Sequence, residues 1–312
     1  LSTTYISVIG GGLGDIVVAL PVIQALIAQG KTALVMRTQR QLGFEKLIPG
    51  LAGVIKESEL SQQLKSDDRY INLRTHRLQT DYFWGGPEFE RDYPGFRIND
   101  ILSEMCRDIG VEADFSRLTP FKYKVRPELA ESVIFIPGTT VDSKTWSTKN
   151  WLALKTWLDN RKCPVFMLGQ PDYSMAVKEL LESGVALIPT PEVEDAVDIL
   201  SSARSVVSID TGLMHVAIQQ GTPTVSLFQD PIFYRPALNN HALFSKHCEP
   251  VCVKSRMAAR PESTTEYPEW SWRTSDFKFC LVPEEERCIN SIGVSEVVDI
   301  LDRLALTNLR KA

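Results

Sequence analysis

A lone carboxylate follows a glycine turn near the start of the sequence, in Gly10-Gly11-Gly12-Leu13-Gly14-Asp15. Two stretches able to bind anions come later. One is Pro137-Gly138-Thr139-Thr140, followed by Ser143, Lys144 and Trp146; the other is Asp210-Thr211-Gly212-Leu213-Met214-His215. The glycine turn would let an alcohol approach Asp15 closely enough to lose its proton there; otherwise Asp15 only caps the helix that it opens. Backbone amides, two hydroxyls and a lysine after a strand could hold a diphosphate. Alone, Lys144 reads equally as a solvated lysine and Trp146 as ordinary packing. The third stretch opens a helix with free N–H groups, which suits an anion. His215 falls in the first turn of that helix, where it either faces the anion site or only hydrogen-bonds locally. Met214 lines either a base pocket or the core.

These groups need elements to hold them. Residues 206–209 and 224–228 are short apolar runs of the kind that buried parallel strands show. Residues 213–220 give about two helical turns between them, stopped by Gly221 and Pro223. Earlier runs at 5–9, 33–36, 54–55 and 70–73 predict a first parallel sheet, with Pro21 either kinking or restarting its first helix. Residues 72–95 carry Arg74, Arg77, Arg91 and an aromatic cluster around Tyr82-Phe83-Trp84, and read as a loop-rich surface. An amphipathic helix is expected over 98–109 and a linker over 121–131. A second set of strands is expected at 132–136, 165–168 and 185–188, with helices over 151–159, up to 183 and over 193–203. A last amphipathic helix covers 294–306. Two βα-repeating halves predict two Rossmann-like domains facing across a cleft.

The chain has 312 residues, 44% hydrophobic and 23% charged, with a net charge of −5. That balance argues against a nucleic-acid partner. No run of 18 apolar residues occurs, and residues 1–18 read as a first strand rather than a signal peptide, so a cytoplasmic chain is expected. A nicotinamide fingerprint fails: its third glycine falls on Asp15 or Val17, and strand two ends at Arg37 instead of an acid. No Asp-x-Asp pair occurs to hold a divalent metal for a sugar-nucleotide transferase. Cys248, Cys252, Cys280 and Cys288 are spaced as C-x3-C, 27 residues, then C-x7-C, which fits no common zinc ribbon. They are read either as reduced, packed thiols or as a structural zinc or iron site.

Three segments, in order, resemble the heptosyltransferase family, glycosyltransferase family 9. They are Gly14-Asp15-Ile16 with Pro21, the stretch from Pro137 to Lys144 and Trp146, and Asp210 to Phe228, with a weaker match at Cys288. This chain departs from the family's pattern in four places, one being that the family's Ala-rich helix becomes Val216-Ala217-Ile218-Gln219-Gln220. It also has no basic residue shortly before Gly14, has Gln229 in place of the glycine after Leu227-Phe228, and has a long insert between Cys252 and Cys280. The resemblance implies a GT-B fold with an acceptor-binding domain over 1–125, a nucleotide-sugar domain over 126–293 and a last helix, 294–312, crossing back to the first. It implies inverting, metal-independent transfer of a heptose or related sugar from an ADP-sugar to a saccharide or glycolipid acceptor, such as a lipopolysaccharide core. No cofactor is needed, and peripheral contact with the inner face of the bacterial inner membrane is implied. Asp15 becomes the base. Thr139, Thr140, Lys144, Asp210, Thr211 and Gly212 become phosphate-side ligands, joined by Met214 and His215, with Gly169 and Gln170 bordering the base. Asp210, itself an anion, would cap the helix or hold ribose or sugar hydroxyls. Gly14, Arg74 and Arg77 would face the acceptor. A sugar-nucleotide epimerase of the same architecture, and a non-catalytic sugar-nucleotide-binding or scaffold protein, remain open alternatives.

Overall fold

The computed structural model describes residues 2–38, 43–139, 141–170, 174–246 and 284–309. Thr140 lies outside these residues. So do Cys248, Cys252 and Cys280, with the metal site considered for them.

The first parallel sheet is β1 (Thr4–Ser7), β2 (Thr32–Met36), β3 (Gly53–Lys56) and β4 (Arg69–Asn72), in the order β3-β2-β1-β4. β2 is buried along its whole length, as a strand covered on both faces must be. After β1 come α1 (Leu13–Val18) and α2 (Leu20–Gln29). Pro21 stands at the second position of α2, where a missing N–H leaves no helical bond unmade, so it restarts the helix instead of kinking one. Short helices α3 (Leu60–Gln63), α4 (Arg77–Thr80) and α5 (Pro87–Asp92) precede α6 (Ile98–Ile109). α6 buries Ile98, Ile101, Leu102 and Met105 along one stripe and ends at Gly110, whose φ of +69° takes the left-handed helix cap.

The second sheet is β5 (Val133–Ile136), β6 (Val165–Met167), β7 (Ala186–Leu187), β8 (Ser205–Ile209), β9 (Thr224–Phe228) and β10 (Asn240–Phe244). It is parallel throughout, in the order β10-β9-β8-β5-β6-β7. The helices joining its strands are α7 (Thr148–Asp159), α8 (Met175–Glu182), α9 (Val193–Ser202) and α10 (Gly212–Gln219). The last helix is α11 (Val294–Leu309). Its apolar stripe of Val297, Ile300 and Leu301 is taken up by the core beneath the second sheet, against α7, β9 and β10.

Each sheet has one place where the strand order reverses. In the first, the chain leaves β1 toward β2 and β3 and returns on the other side as β4. In the second, β5-β6-β7 run one way and β8 starts the other, next to β5. Crevices open at such points beyond the carboxyl ends of the strands, and ligands bind there. The glycine turn follows β1, the segment with Lys144 follows β5, and Asp210 follows β8. All three anion- or proton-handling stretches therefore stand at reversal points.

Candidate active site

The two reversal points meet through glycines. A Cβ placed on Gly212 would lie 2.9 Å from the Gly14 nitrogen and 2.9 Å from Leu13 Cβ; one on Gly14 would lie 3.1 Å from His215 Cδ2. Only residues without side chains let the starts of α1 and α10 come this close. Asp15 is the residue that follows Gly14, still within the first turn of α1. Its Oδ2 accepts the Gly12 N–H at 2.7 Å, so the carboxylate folds back over the glycine turn. A Cβ on Gly10 would sit 2.4 Å from that oxygen.

Burial pushes the Asp15 carboxyl up to about 6, against the opposing pull of the Gly12 N–H and the Lys144 ammonium; Asp210 adds to the rise. Asp15, from the first half, thus feels charges belonging to the second. At neutral pH it is largely ionised, yet still a much stronger base than an ordinary carboxylate.

Across the junction, Lys144 Nζ lies 2.5 Å from Asp210 Oδ2, and His215 Nε2 lies 3.5 Å from Asp210 Oδ1. Burial alone would raise the Asp210 carboxyl, but Lys144 and His215 outweigh it and hold the group well below the usual carboxylate range. His215 is only 3% exposed. Burial lowers its pKa, the Asp210 carboxylate works against that, and the Arg235 and Lys144 cations reinforce it, so the ring is neutral at pH 7. Lys144 is thus a cleft cation with a defined partner rather than a solvated surface lysine.

The α10 cap differs from the expectation for Asp210. Thr211 is the capping residue, its Oγ1 accepting the Met214 N–H at 3.4 Å, while Asp210 is committed to Lys144 and His215. The Thr139 hydroxyl oxygen accepts the Val141 N–H at 3.1 Å, leaving its O–H free to donate. Met214 is fully buried in a small core with Ile218 and Phe228, so it packs rather than lining a pocket. Trp146 also packs: it lies edge-on to Trp151 and donates Nε1–H to the Ile292 carbonyl at 2.9 Å. Gly169 follows β6 at the same carboxyl edge, with a φ of +141°.

The arginines expected to face the acceptor are engaged within the first half. Arg74 is buried and paired with Glu57. Arg77 bonds Asp108 and the Tyr93 hydroxyl, at 3.0 and 2.6 Å. Arg91 pairs with its neighbour Asp92. The structure therefore brings Gly14, Asp15, Lys144, Asp210, Gly212 and His215 together and keeps Arg74 and Arg77 on networks of their own.

Sequence reasoning missed Asp230, Phe233 and Arg235. Asp230 stands just beyond β9, the position Asp210 has after β8, and Asp-Pro at a strand end was its only signal. The Phe233 ring lies under Lys144, with Nζ 5.4 Å from its centroid, and 6.1 Å from the Trp84 ring of the first half. Arg235 is buried with one partner, the Gln219 side-chain oxygen at 2.8 Å, and desolvation lowers its pKa to about 10.

Residues 112–261 match the model of glycosyltransferase family 9 (heptosyltransferase). The chain is 31% identical to lipopolysaccharide heptosyltransferase 1 of Salmonella typhimurium over 98 residues, which is 30% of this chain and 31% of that protein. The match thus spans about a third of that relative. The glycosyl transferase family 9 protein from Veillonella parvula superposes with a TM-score of 0.64 at 16% identity, over 98% of this chain and 97% of that one. The E. coli heptosyltransferase WaaC with ADP-2-deoxy-2-fluoro heptose does so with a TM-score of 0.60 at 15% identity, over 97% and 99%. At such identities the likeness is one of fold, and it covers nearly the whole chain. With its two parallel sheets meeting at their reversal points, this protein has the GT-B fold, and the stretch 112–261 is similar to the heptosyltransferases of glycosyltransferase family 9.

Proposed function

We propose that the chain is an inverting glycosyltransferase that moves a heptose or related sugar from an ADP-sugar to a saccharide acceptor, such as a lipopolysaccharide core, at the cytoplasmic face of the inner membrane. One observation carries the reading: a basic, half-buried carboxylate, Asp15, faces the Lys144–Asp210–His215 group across the contact between the two reversal points. A solved family fold holding an ADP-heptose analogue supports the donor class.

In this mechanism Asp15 takes the proton of an acceptor hydroxyl. The freed oxygen pair forms the new bond to the anomeric carbon from the face opposite the diphosphate. The bond from that carbon to the phosphate oxygen breaks, its electron pair leaves on ADP, and the configuration inverts. Lys144, the Thr139 and Thr211 hydroxyls and the N–H groups that open α10 are the donors for the departing diphosphate. Protein groups thus supply the neutralisation that a metal gives in other sugar-nucleotide transferases. Asp210 orients Lys144 and neutral His215 rather than touching phosphate, since both are anionic.

The test is Asp15→Asn, assayed with ADP-heptose and a heptose-deficient core oligosaccharide. ADP affinity by calorimetry stays near wild type, while transfer falls by roughly 10²–10⁴. Unchanged turnover removes Asp15 as the base. Conversion of the nucleotide sugar without any acceptor would point instead to an epimerase.

A further inference from the structure

One carboxylate at this junction has no part in the reaction above. Asp230 follows β9, the neighbour of β8, so it stands at the same carboxyl edge as Asp210. Its Oδ1 accepts the Ile232 N–H at 2.9 Å and so caps the 3-10 turn Pro231–Phe233. That turn carries the Phe233 ring on which Lys144 rests. Among the described residues Oδ2 has neither a hydrogen bond nor an ion pair: the nearby ammonium of Lys144 is committed to Asp210 instead. Yet Asp230 lies within the field of Lys144 and Asp210 and of Arg97, the residue that opens α6 in the first half. It therefore stands at the carboxyl edge beside the proposed phosphate donors, on the turn that carries the ring under Lys144, where a sugar on the terminal phosphate can reach it.

Asp230 is half-buried, and its second oxygen is left without a donor from the described residues, so it is open to a ligand. Phosphate cannot satisfy it, because like charges repel. A hydroxyl can, and a sugar offers several. We propose that Asp230 is a specificity-determining residue, whose Oδ2 accepts hydrogen bonds from hydroxyls of the sugar carried by the nucleotide diphosphate. The inference rests on the reading of this junction as an ADP-sugar site.

Asp230→Asn separates the two oxygens. Asn caps as well as Asp, so the bond from Ile232 N–H is kept, while the second atom becomes an NH2 that cannot accept. ADP and ADP-heptose are titrated calorimetrically into wild type and variant. The expected result is ADP affinity within about twofold of wild type and ADP-heptose affinity lower by about tenfold or more. Asp230→Ser, another good cap with no second acceptor at that point, should show the same selective loss. Equal weakening of both ligands would mean that Asp230 only supports the Lys144 platform, and unchanged affinity for both would mean that it faces no sugar; either overturns the proposal. Wild-type protein that binds neither ligand would overturn the site reading itself, a result distinct from a failure at Asp230.

Discussion

Asp15 shows how one side chain can be placed for reaction at the expense of stability. Folding raises its carboxyl from the ordinary value of 3.8 to about 6. Between those two values the folded chain binds more protons than the unfolded chain, so stability falls as pH rises through that window. Above about pH 6 the folded state carries the full cost of a desolvated charge; below about pH 4 it carries none. Asp15→Asn should therefore raise the melting temperature at pH 8, with the gain shrinking as pH falls through 6 and vanishing near 4. A pH-independent difference would mean that the carboxylate is not desolvated. The same ionisation should govern the reaction: kcat/KM should drop about tenfold per pH unit below about 6, since only the ionised form accepts a proton. A flat profile down to pH 5 would assign the base elsewhere.

At the scale of elements, the starts of α1 and α10 set the distance between the two reactive groups. Gly212→Ala would force its new methyl against backbone and side chain at 2.9 Å. Overpacking of this kind costs about 1–3 kcal/mol. It would part the two helix starts and move Asp15 away from Lys144, so transfer should fall by more than tenfold with a melting temperature lower by a few degrees. Wild-type activity in that variant would show that the contact is not what positions the base. This contact explains what the sequence made legible. Local strings carry Asp15, Lys144, Asp210, Thr211, Gly212 and His215, because each group follows directly from a strand that an apolar run announces. The α6 and β9 boundaries were read correctly for the same reason: Gly110 stops one, and continuous burial marks the other. β10 was missed because Asn240-His241-Ala242-Leu243-Phe244 neither alternates nor runs apolar, being a half-exposed edge strand. Asp230, Phe233 and Arg235 were missed because what they meet, Lys144 for the first two and Gln219 for the third, is tertiary and leaves no spacing to read.

At the scale of the whole molecule, the two sheets do not behave as beads on a string. The linker lies along α9 and α10 and is held there repeatedly: the Gln219 side chain donates to the Thr119 carbonyl, Gln220 Oε1 accepts the Phe121 N–H, Asp198 accepts the Lys124 N–H and Ser202 accepts the Arg126 N–H. Phe121 meets Phe44 of the first half edge-on at 5.2 Å, and one apolar cluster runs from Ile6 and Val17 through Phe121 to Val197 and Val216. Opening either half alone would expose this shared surface, at about 25 cal/mol for each Å² of apolar area. Two-domain chains often unfold in steps; here the shared core favours one transition. Tryptophan emission is weighted toward the second half by Trp146, Trp151 and Trp157, whereas far-ultraviolet dichroism reports both. The two probes should give coincident urea midpoints, and saturating ADP should shift both together, because a ligand at the junction stabilises whatever unfolds with it. An emission midpoint that moves with ADP while part of the dichroism change stays behind would mean that the first sheet unfolds on its own, and that the junction forms only when both halves are already folded.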